Sequence, residues 1–353
     1  MRTLQSEYMY WAKNQTTARY NLGSSEVPHV RLDQFGISLA DLEIDGASRY
    51  RYPPLRAAIA RKVGVTPERI VMADGASMAN MLALSALIAT GDEVLIERPG
   101  YEPITAAARF CGAKVRHFDR VAPDFRIDLE TVEQALTPQT RLFALTNLNN
   151  PSSNRTDTET LRALGELAER HGARVLIDEI FLDSAGEAQG SAALLSDTFV
   201  CTGSLTKVYG LSGLRCGWIA AEPELAERMW RLNELFGVAQ AHATERLALI
   251  ALERLDDVAA GNAERLAHNR ALFARFVVDQ KRIEWMSQPG GITAFPRLLD
   301  GDVDALHRLL RERYDTAIVP GRFFGCPDRF RIGLGGVTAD LEAGLERLGA
   351  ALA

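Results

Sequence analysis

The sequence predicts an α/β protein. A large domain holds a mostly parallel seven-stranded sheet covered by helices on both faces, and a smaller α+β domain is formed by the C-terminal region and the N-terminal segment. Three observations predict this. Short apolar runs alternate with helical stretches from Tyr52 to about Ala220, the rhythm that builds parallel sheets. Those runs are apolar throughout rather than at every second residue, as strands buried on both faces must be. After Pro223 the rhythm gives way to long helices and then isolated strands, and a chain of 353 residues is long enough for two domains. The boundaries are expected at 43–254 for the large domain, with 1–42 and 255–353 forming the small one.

Taken in order, Glu7–Lys13 places Tyr8, Trp11 and Ala12 at helical spacing, a short amphipathic helix that must pack on something else. Asn21–Glu26 is rich in turn formers. Pro53-Pro54 opens a helix whose apolar face is Leu55, Ile59 and Val63. Arg69–Ala73 reads as a strand, Asp74–Ser77 as a turn and Met78–Ala89 as an apolar helix. Further strands are expected at 93–97, 114–118, 141–146, 174–177, 198–202 and 216–220, with a helix at Thr158–His171 among the segments between them. Helix is expected from Glu224 to about Arg254 and from Ala263 to Asp279. Strands follow at Gly290–Phe295 and Arg329–Leu334, with a helix at Val303–Tyr314 between them.

Composition narrows the function. The net charge of −6 comes without a basic block, which argues against nucleic acid as the main partner. No apolar run reaches the roughly 18 residues needed to span a bilayer. The start, Met1–Glu7, lacks the apolar core of a signal peptide, so a cytoplasmic protein is expected. Cys111, Cys201, Cys216 and Cys326 are scattered without metal-ligand spacing, so they read as thiols in a reducing compartment and no metal is expected.

In an open parallel sheet, ligands bind at the carboxyl ends of the strands, and the polar residues that stand out fall there. Lys207, one of only five lysines, lies among small hydroxyl residues and glycines in Ser204–Trp218. An amine, unlike a guanidinium, can lose its proton and attack a carbonyl carbon. Gly75, Ala76 and Ser77 stand between a strand and a helix start, where backbone N–H groups favour a phosphate; a helix cap by Ser77 or Asp74 is the simpler reading of that turn alone. Tyr101 follows a strand and can offer a flat face to a ring, or pack as core. Asn147–Pro151 is an amide-rich turn. Asp178-Glu179 closes an apolar strand, where a buried carboxylate needs a cationic partner; a surface helix cap is the equally simple reading of that pair alone. Ser204, Thr206 and Arg215 have phosphate-binding chemistry. Arg331 sits inside the apolar strand Phe330–Leu334, fit to grip a carboxylate or to form a structural salt bridge. A lysine amine, a carboxylate, a stacking aromatic and phosphate ligands on one sheet edge match pyridoxal 5'-phosphate.

With these residues in place, the chain resembles the fold-type I pyridoxal-phosphate enzymes, specifically the class I/II aminotransferase family. The stretch SLTKVYGLSGLRCGW resembles the family's lysine signature, with serine three residues before the lysine and arginine eight after it. The resemblance spans nearly the whole chain, from Asn21-Leu22-Gly23 through Leu55-Arg56 to Pro320-Gly321 and Phe330-Arg331. It implies that Lys207 holds the cofactor as a Schiff base and shuttles the proton, and that Asp178 keeps the pyridine nitrogen protonated. It implies that Asn150 bonds the ring's 3-oxygen while Tyr101 stacks on the ring. Gly75, Ala76, Ser77, Ser204, Thr206 and Arg215 would hold the phosphate. Arg331 would clamp the substrate α-carboxylate, with Gly23 and Asn150 nearby. The family is typically a homodimer, and Tyr50, with Tyr52 competing, would reach the neighbouring subunit's phosphate.

Three departures stand out. Phe181 occupies the position of the family tyrosine, and loss of that phenol implies a raised pKa at the cofactor–lysine linkage. The asparagine-proline motif reads Asn147–Ser153, with Leu148 and Ser153 replacing proline and glycine. The region around Tyr50 is shortened. The expected function is an aminotransferase moving an amino group between an α-amino acid and a 2-oxo acid. A β-lyase, decarboxylase or cyclase at the same site is the alternative, and a non-catalytic pyridoxal-binding domain is disfavoured by Arg331.

Overall fold

A computed structural model describes residues 5–44, 50–185 and 189–353; Met1–Leu4 of the opening segment lie outside the described residues. Seven strands form the central sheet: β1 (Ile70–Asp74), β2 (Glu93–Arg98), β3 (Lys114–Asp119), β4 (Thr140–Thr146), β5 (Arg174–Asp178), β6 (Phe199–Ser204) and β7 (Cys216–Ala220). Their spatial order is β1-β7-β6-β5-β4-β2-β3. All contacts are parallel except those of β7, which runs antiparallel to both β1 and β6. Val175, Leu176 and Ile177 on β5 and Leu142 to Leu145 on β4 are all buried. Successive side chains point to opposite faces, so both faces are covered. The Gly75–Leu87 helix packs on β1, β5, β6 and β7, and the Pro53–Val63 and Pro223–Asn233 helices on β1.

Register explains why the site forms where it does. Asp74, Arg98, Thr146, Asp178 and Ser204 are the last residues of their strands. Because β7 is reversed, its first residue, Cys216, pairs with Asp74, and Gly217 with Ser204. The Lys207 loop thus leaves and returns at one edge, bringing Arg215 back to Asp74.

Beside the sheet, a second core gathers Leu22, Phe273, Ile318, Phe330, Ile332 and Leu345. Leu22 belongs to it because Tyr20–Asn21 pairs in parallel with Thr316–Ala317. The Phe330–Gly333 strand lies antiparallel between Thr293–Ala294 and Val319–Pro320. The Glu7–Asn14 helix, capped by Ser6 accepting from the Met9 N–H, buries Tyr8 and Trp11 against Phe323 and Phe324.

Several expected boundaries are corrected. The helix at Met78 starts at Gly75, and no side chain caps its first turn; Asp74 instead accepts from Gln240 Nε2. The stretch 224–254 breaks into Pro223–Asn233 and His242–Glu253, since Gly237 and Val238, the latter at φ 50°, are poor helix formers. The helix expected from Ala263 begins at Leu255. Gly261-Asn262 suggests a break, but packing overrides it: Asn262 is buried and donates to the Val208 carbonyl. The Gly290–Phe295 strand shrinks to Thr293–Ala294. Among the described residues no helix is long and apolar enough to cross a membrane, and no group of His, Cys, Asp and Glu is placed to hold a metal ion.

Candidate active site

A cavity of about 640 Å³ opens at the carboxyl edge of the sheet, between it and the N-terminal segment. Gly23, Ala76, Ser77, Tyr101, Asn150, Asp178, Thr206, Lys207, Arg215 and Arg331 all line it. Gly75, Ser204 and Tyr50 are not part of the lining, although Gly75 adjoins Ala76 in the chain and Ser204 Oγ touches Thr206 Oγ1.

Asp178 is buried at the end of β5. Its Oδ2 accepts from Asn80 Nδ2 at 2.7 Å and its Oδ1 from the Ile180 N–H at 3.0 Å. No cation pairs with it among the described residues. Burial pushes its carboxyl up to about 6, against those two hydrogen bonds, with Glu97 adding a small upward push. The adjacent Glu179 turns elsewhere, accepting from the Ala192 N–H at 2.8 Å, so only the first carboxylate of the pair faces the cavity. Asn80 is fixed from behind by Thr202 Oγ1, which donates to its Oδ1 at 2.7 Å. The sequence reading missed Asn80; its signal was a lone amide in an otherwise apolar helix.

The phosphate-type residues meet at the start of the Gly75–Leu87 helix. Arg215 donates to the carbonyls of Asp74 (3.0 Å) and Ser212 (3.3 Å). Gly75 has φ +79°, and a Cβ there would lie 2.3 Å from Arg215 Nη2, so only glycine lets the guanidinium close over the turn. Ser204 Oγ and Thr206 Oγ1 are 2.6 Å apart and buried. An uncapped helix start, a guanidinium without a carboxylate and two hydroxyls form an anion cradle.

Lys207 Nζ stands across the cavity, 3.4 Å from Glu26 Oε2. Tyr101 borders Tyr8 edge-on, with ring centroids 5.9 Å apart, and burial holds its phenol well above the ordinary tyrosine range. Asn150 Oδ1 accepts from Arg331 Nη1 at 2.9 Å. Arg331 Nη2 donates to Tyr8 Oη at 2.8 Å and to the Gly23 carbonyl at 2.9 Å. Arg331 is 1% exposed and its Nε is buried without a partner. Its guanidinium is therefore desolvated on neutral acceptors, with no carboxylate beside it among the described residues. Tyr8 was expected only to pack; it also holds this arginine.

The departures also have a place. Phe181 lines the cavity and packs with Leu148, Val27 and Ile292 in one apolar cluster, so two of the unusual residues touch the same cluster. The Asn147–Leu148 peptide is cis. Tyr52 is buried and accepts from Arg246 Nη1 at 2.9 Å. Tyr50 is 44% exposed and donates to Glu234.

The comparisons with known proteins bear directly on this arrangement. A family profile described as "Aminotransferase class I and II" matches residues 21–348. The chain belongs to this family. A capreomycidine synthase of Streptomyces vinaceus is 33% identical over 82% of this chain and 76% of its own. A histidinol-phosphate aminotransferase of Sphingopyxis alaskensis is 31% identical over 85% of this chain and 81% of its own. The solved structure of a PLP-dependent cyclase, OrfR, superimposes with a TM-score of 0.90 at 26% identity, covering 100% of this chain and 98% of the other. Members of the class I/II family are enzymes that use pyridoxal 5'-phosphate. The residues present fit that group: a buried carboxylate with no cation beside it among the described residues, an anion cradle closed by Arg215 over Gly75, and an amine lining the same cavity.

Proposed function

We propose that this protein is a pyridoxal-phosphate-dependent aminotransferase acting between an α-amino acid and a 2-oxo acid. The observation that carries this reading is Arg331. It is a buried guanidinium with an unbonded Nε and no carboxylate partner among the described residues, opening on the same cavity as the Lys207 amine. An unpaired buried charge is costly, and a substrate α-carboxylate supplies what it lacks.

When bound, pyridoxal phosphate supplies an aldehyde and a pyridinium that stabilises negative charge at an amino acid's α-carbon. The chain's own residues do the rest. Arg215, Ser204, Thr206, Ser77 and the N–H groups of Gly75 and Ala76 would hold the phosphate. Asp178 would keep the proton on the ring nitrogen, an ion pair that would also relieve its own burial. Tyr101 would stack on the ring, and Asn150 would bond the 3-oxygen while steadying Arg331. Lys207 Nζ would link the cofactor and carry the α-proton. Borohydride should fix the cofactor covalently to the wild type and not to Lys207→Ala; a Lys207→Ala variant that is still labelled overturns the assignment.

A second reading, cyclisation, is favoured by one observation: two of the similar proteins are named capreomycidine synthase and PLP-dependent cyclase. Single turnover separates the two. Transamination leaves the pyridoxamine form and one equivalent of 2-oxo acid, whereas cyclisation returns the cofactor unchanged.

The same reading includes a homodimer. Leu235, Phe236 and Val238 are exposed in the loop after Glu234, the residue to which Tyr50 donates. A second copy covering this patch would bring Tyr50 towards the neighbouring phosphate cradle. Light scattering should give twice the chain mass, and Phe236→Asp should shift it towards one.

A further inference from the structure

Resting on the reading above, we propose that Glu26 is a specificity-determining residue that selects amino acids with a cationic side chain, an ammonium or a guanidinium. Glu26 lines the cavity, and its Oε2 lies 3.4 Å from Lys207 Nζ. Its side chain is 29% exposed, so it sits at the mouth with one side towards the interior.

The backbone holds it there from both domains. The N–H of the next residue, Val27, donates to the Lys207 carbonyl at 3.0 Å, and that of Val30 to the Gly210 carbonyl at 3.1 Å. On the other side the Glu26 carbonyl lies where a Cβ on Gly335 would be 2.6 Å away, an approach that only glycine permits. The carboxylate is thus carried on a braced segment rather than a free loop.

The charges of the cavity then sort themselves. Arg215 serves the phosphate, Asp178 the ring nitrogen, Arg331 the substrate carboxylate, and the Lys207 amine is committed to the cofactor. Lys13 and His29, the other groups of the lining able to carry a positive charge, are exposed, and the phenols Tyr8 and Tyr101 complete its titratable groups. Glu26 is left as a carboxylate facing the substrate with its lysine partner engaged elsewhere. Its reach suits the task. Arg331 donates to the Gly23 carbonyl, and Gly23 and Glu26 are three residues apart, about 10 Å at full extension. An amino acid whose carboxylate rests on Arg331 and whose side chain has a three- or four-carbon stem can place its cation on Glu26. The same carboxylate repels acidic side chains, so it selects in both directions.

The test uses the reconstituted holoenzyme and equilibrium binding read from the cofactor absorbance. L-arginine is compared with L-citrulline, its neutral near-isostere, and with L-glutamate. The wild type should bind arginine at least tenfold more tightly than citrulline. Glu26→Gln should bring that ratio close to one, leave citrulline affinity within about threefold, and admit glutamate more readily. A ratio near one in the wild type, or one unchanged in Glu26→Gln, overturns the proposal. Equal weakening of arginine and citrulline also overturns it, since Glu26 would then act through Lys207. A wild type that takes up no cofactor at Lys207 fails the underlying reading instead, and does so before any amino acid is added.

Discussion

Two buried charged regions lie close together in this protein, and one is closed while the other is open. Beneath the sheet edge, Arg120 and Glu97 are almost wholly buried and paired at 2.6 Å. Arg120 also donates to the Phe125 and Thr146 carbonyls, to Asn154 and to Thr156. Glu97 accepts in addition from the N–H and hydroxyl of Thr146. In the cavity above, Asp178 and Arg331 are equally buried, yet each meets only neutral partners. The first region is a finished ion pair that fixes the loop after β4. On the reading proposed above, the second holds two halves of ion pairs whose other halves would come from cofactor and substrate.

The largest effect expected of this contrast is on stability in the closed region. Arg120→Ala leaves Glu97 buried and uncompensated, so it should lower unfolding free energy by about 3–5 kcal/mol, measured by urea denaturation. A loss below about 1 kcal/mol would erase the distinction.

Next comes the pH dependence of the apoprotein. The Asp178 carboxyl is raised from 3.8 to about 6 by burial, so the folded state holds its proton longer than the unfolded one. Stability should fall as pH rises from about 4 to 6, by about 3 kcal/mol in total. In apo Asp178→Asn this share of the slope should vanish. Matching pH–stability curves for the two apoproteins would show that Asp178 carries no such burden.

Substitution of the open arginine should move recognition instead. Arg331→Lys keeps the charge and loses the fork. It should raise KM for an amino-acid donor roughly 30- to 100-fold, about 2–3 kcal/mol, while its thermal midpoint moves far less than that of Arg120→Ala. The smallest effect belongs to the electronic setting. Phe181→Tyr restores a phenol donor to the cavity and should lower the pH midpoint of the holoenzyme's visible absorbance by about 1 unit, a hydrogen bond near charge being worth about 1.5–3 kcal/mol. An unchanged or higher midpoint would show that the phenol cannot reach the cofactor past the apolar cluster.

The contrast also separates what the chain discloses by itself from what only folding reveals. The sheet was legible because consecutive apolar residues on β4 and β5 can be buried in few other ways. Lys207, Asp178 and Arg215 were legible because each sits at a strand end in a compact local motif. The Asn80–Asp178, Glu26–Lys207 and Tyr8–Arg331 pairs span 98, 181 and 323 residues, and no local spacing announces them. Likewise the turns before Ala263 join the helix because Asn262 meets a partner, the Val208 carbonyl, that is remote in the chain. The break after Asn233 falls at Gly237 and Val238, poor helix formers between two helical flanks.

Arg331 gives this long-range character a physical consequence. Its three acceptors belong to Asn150, Gly23 and Tyr8, at separations of 181, 308 and 323 residues. The guanidinium is where the head, the middle and the tail of the chain are tied in one knot of hydrogen bonds. On the reading proposed above, substrate recognition would be a readout of chain closure. If the first thirty residues lift away, a local opening that leaves the sheet intact, the guanidinium loses two of its three anchors. The protein would then keep its cofactor cradle and lose its aim.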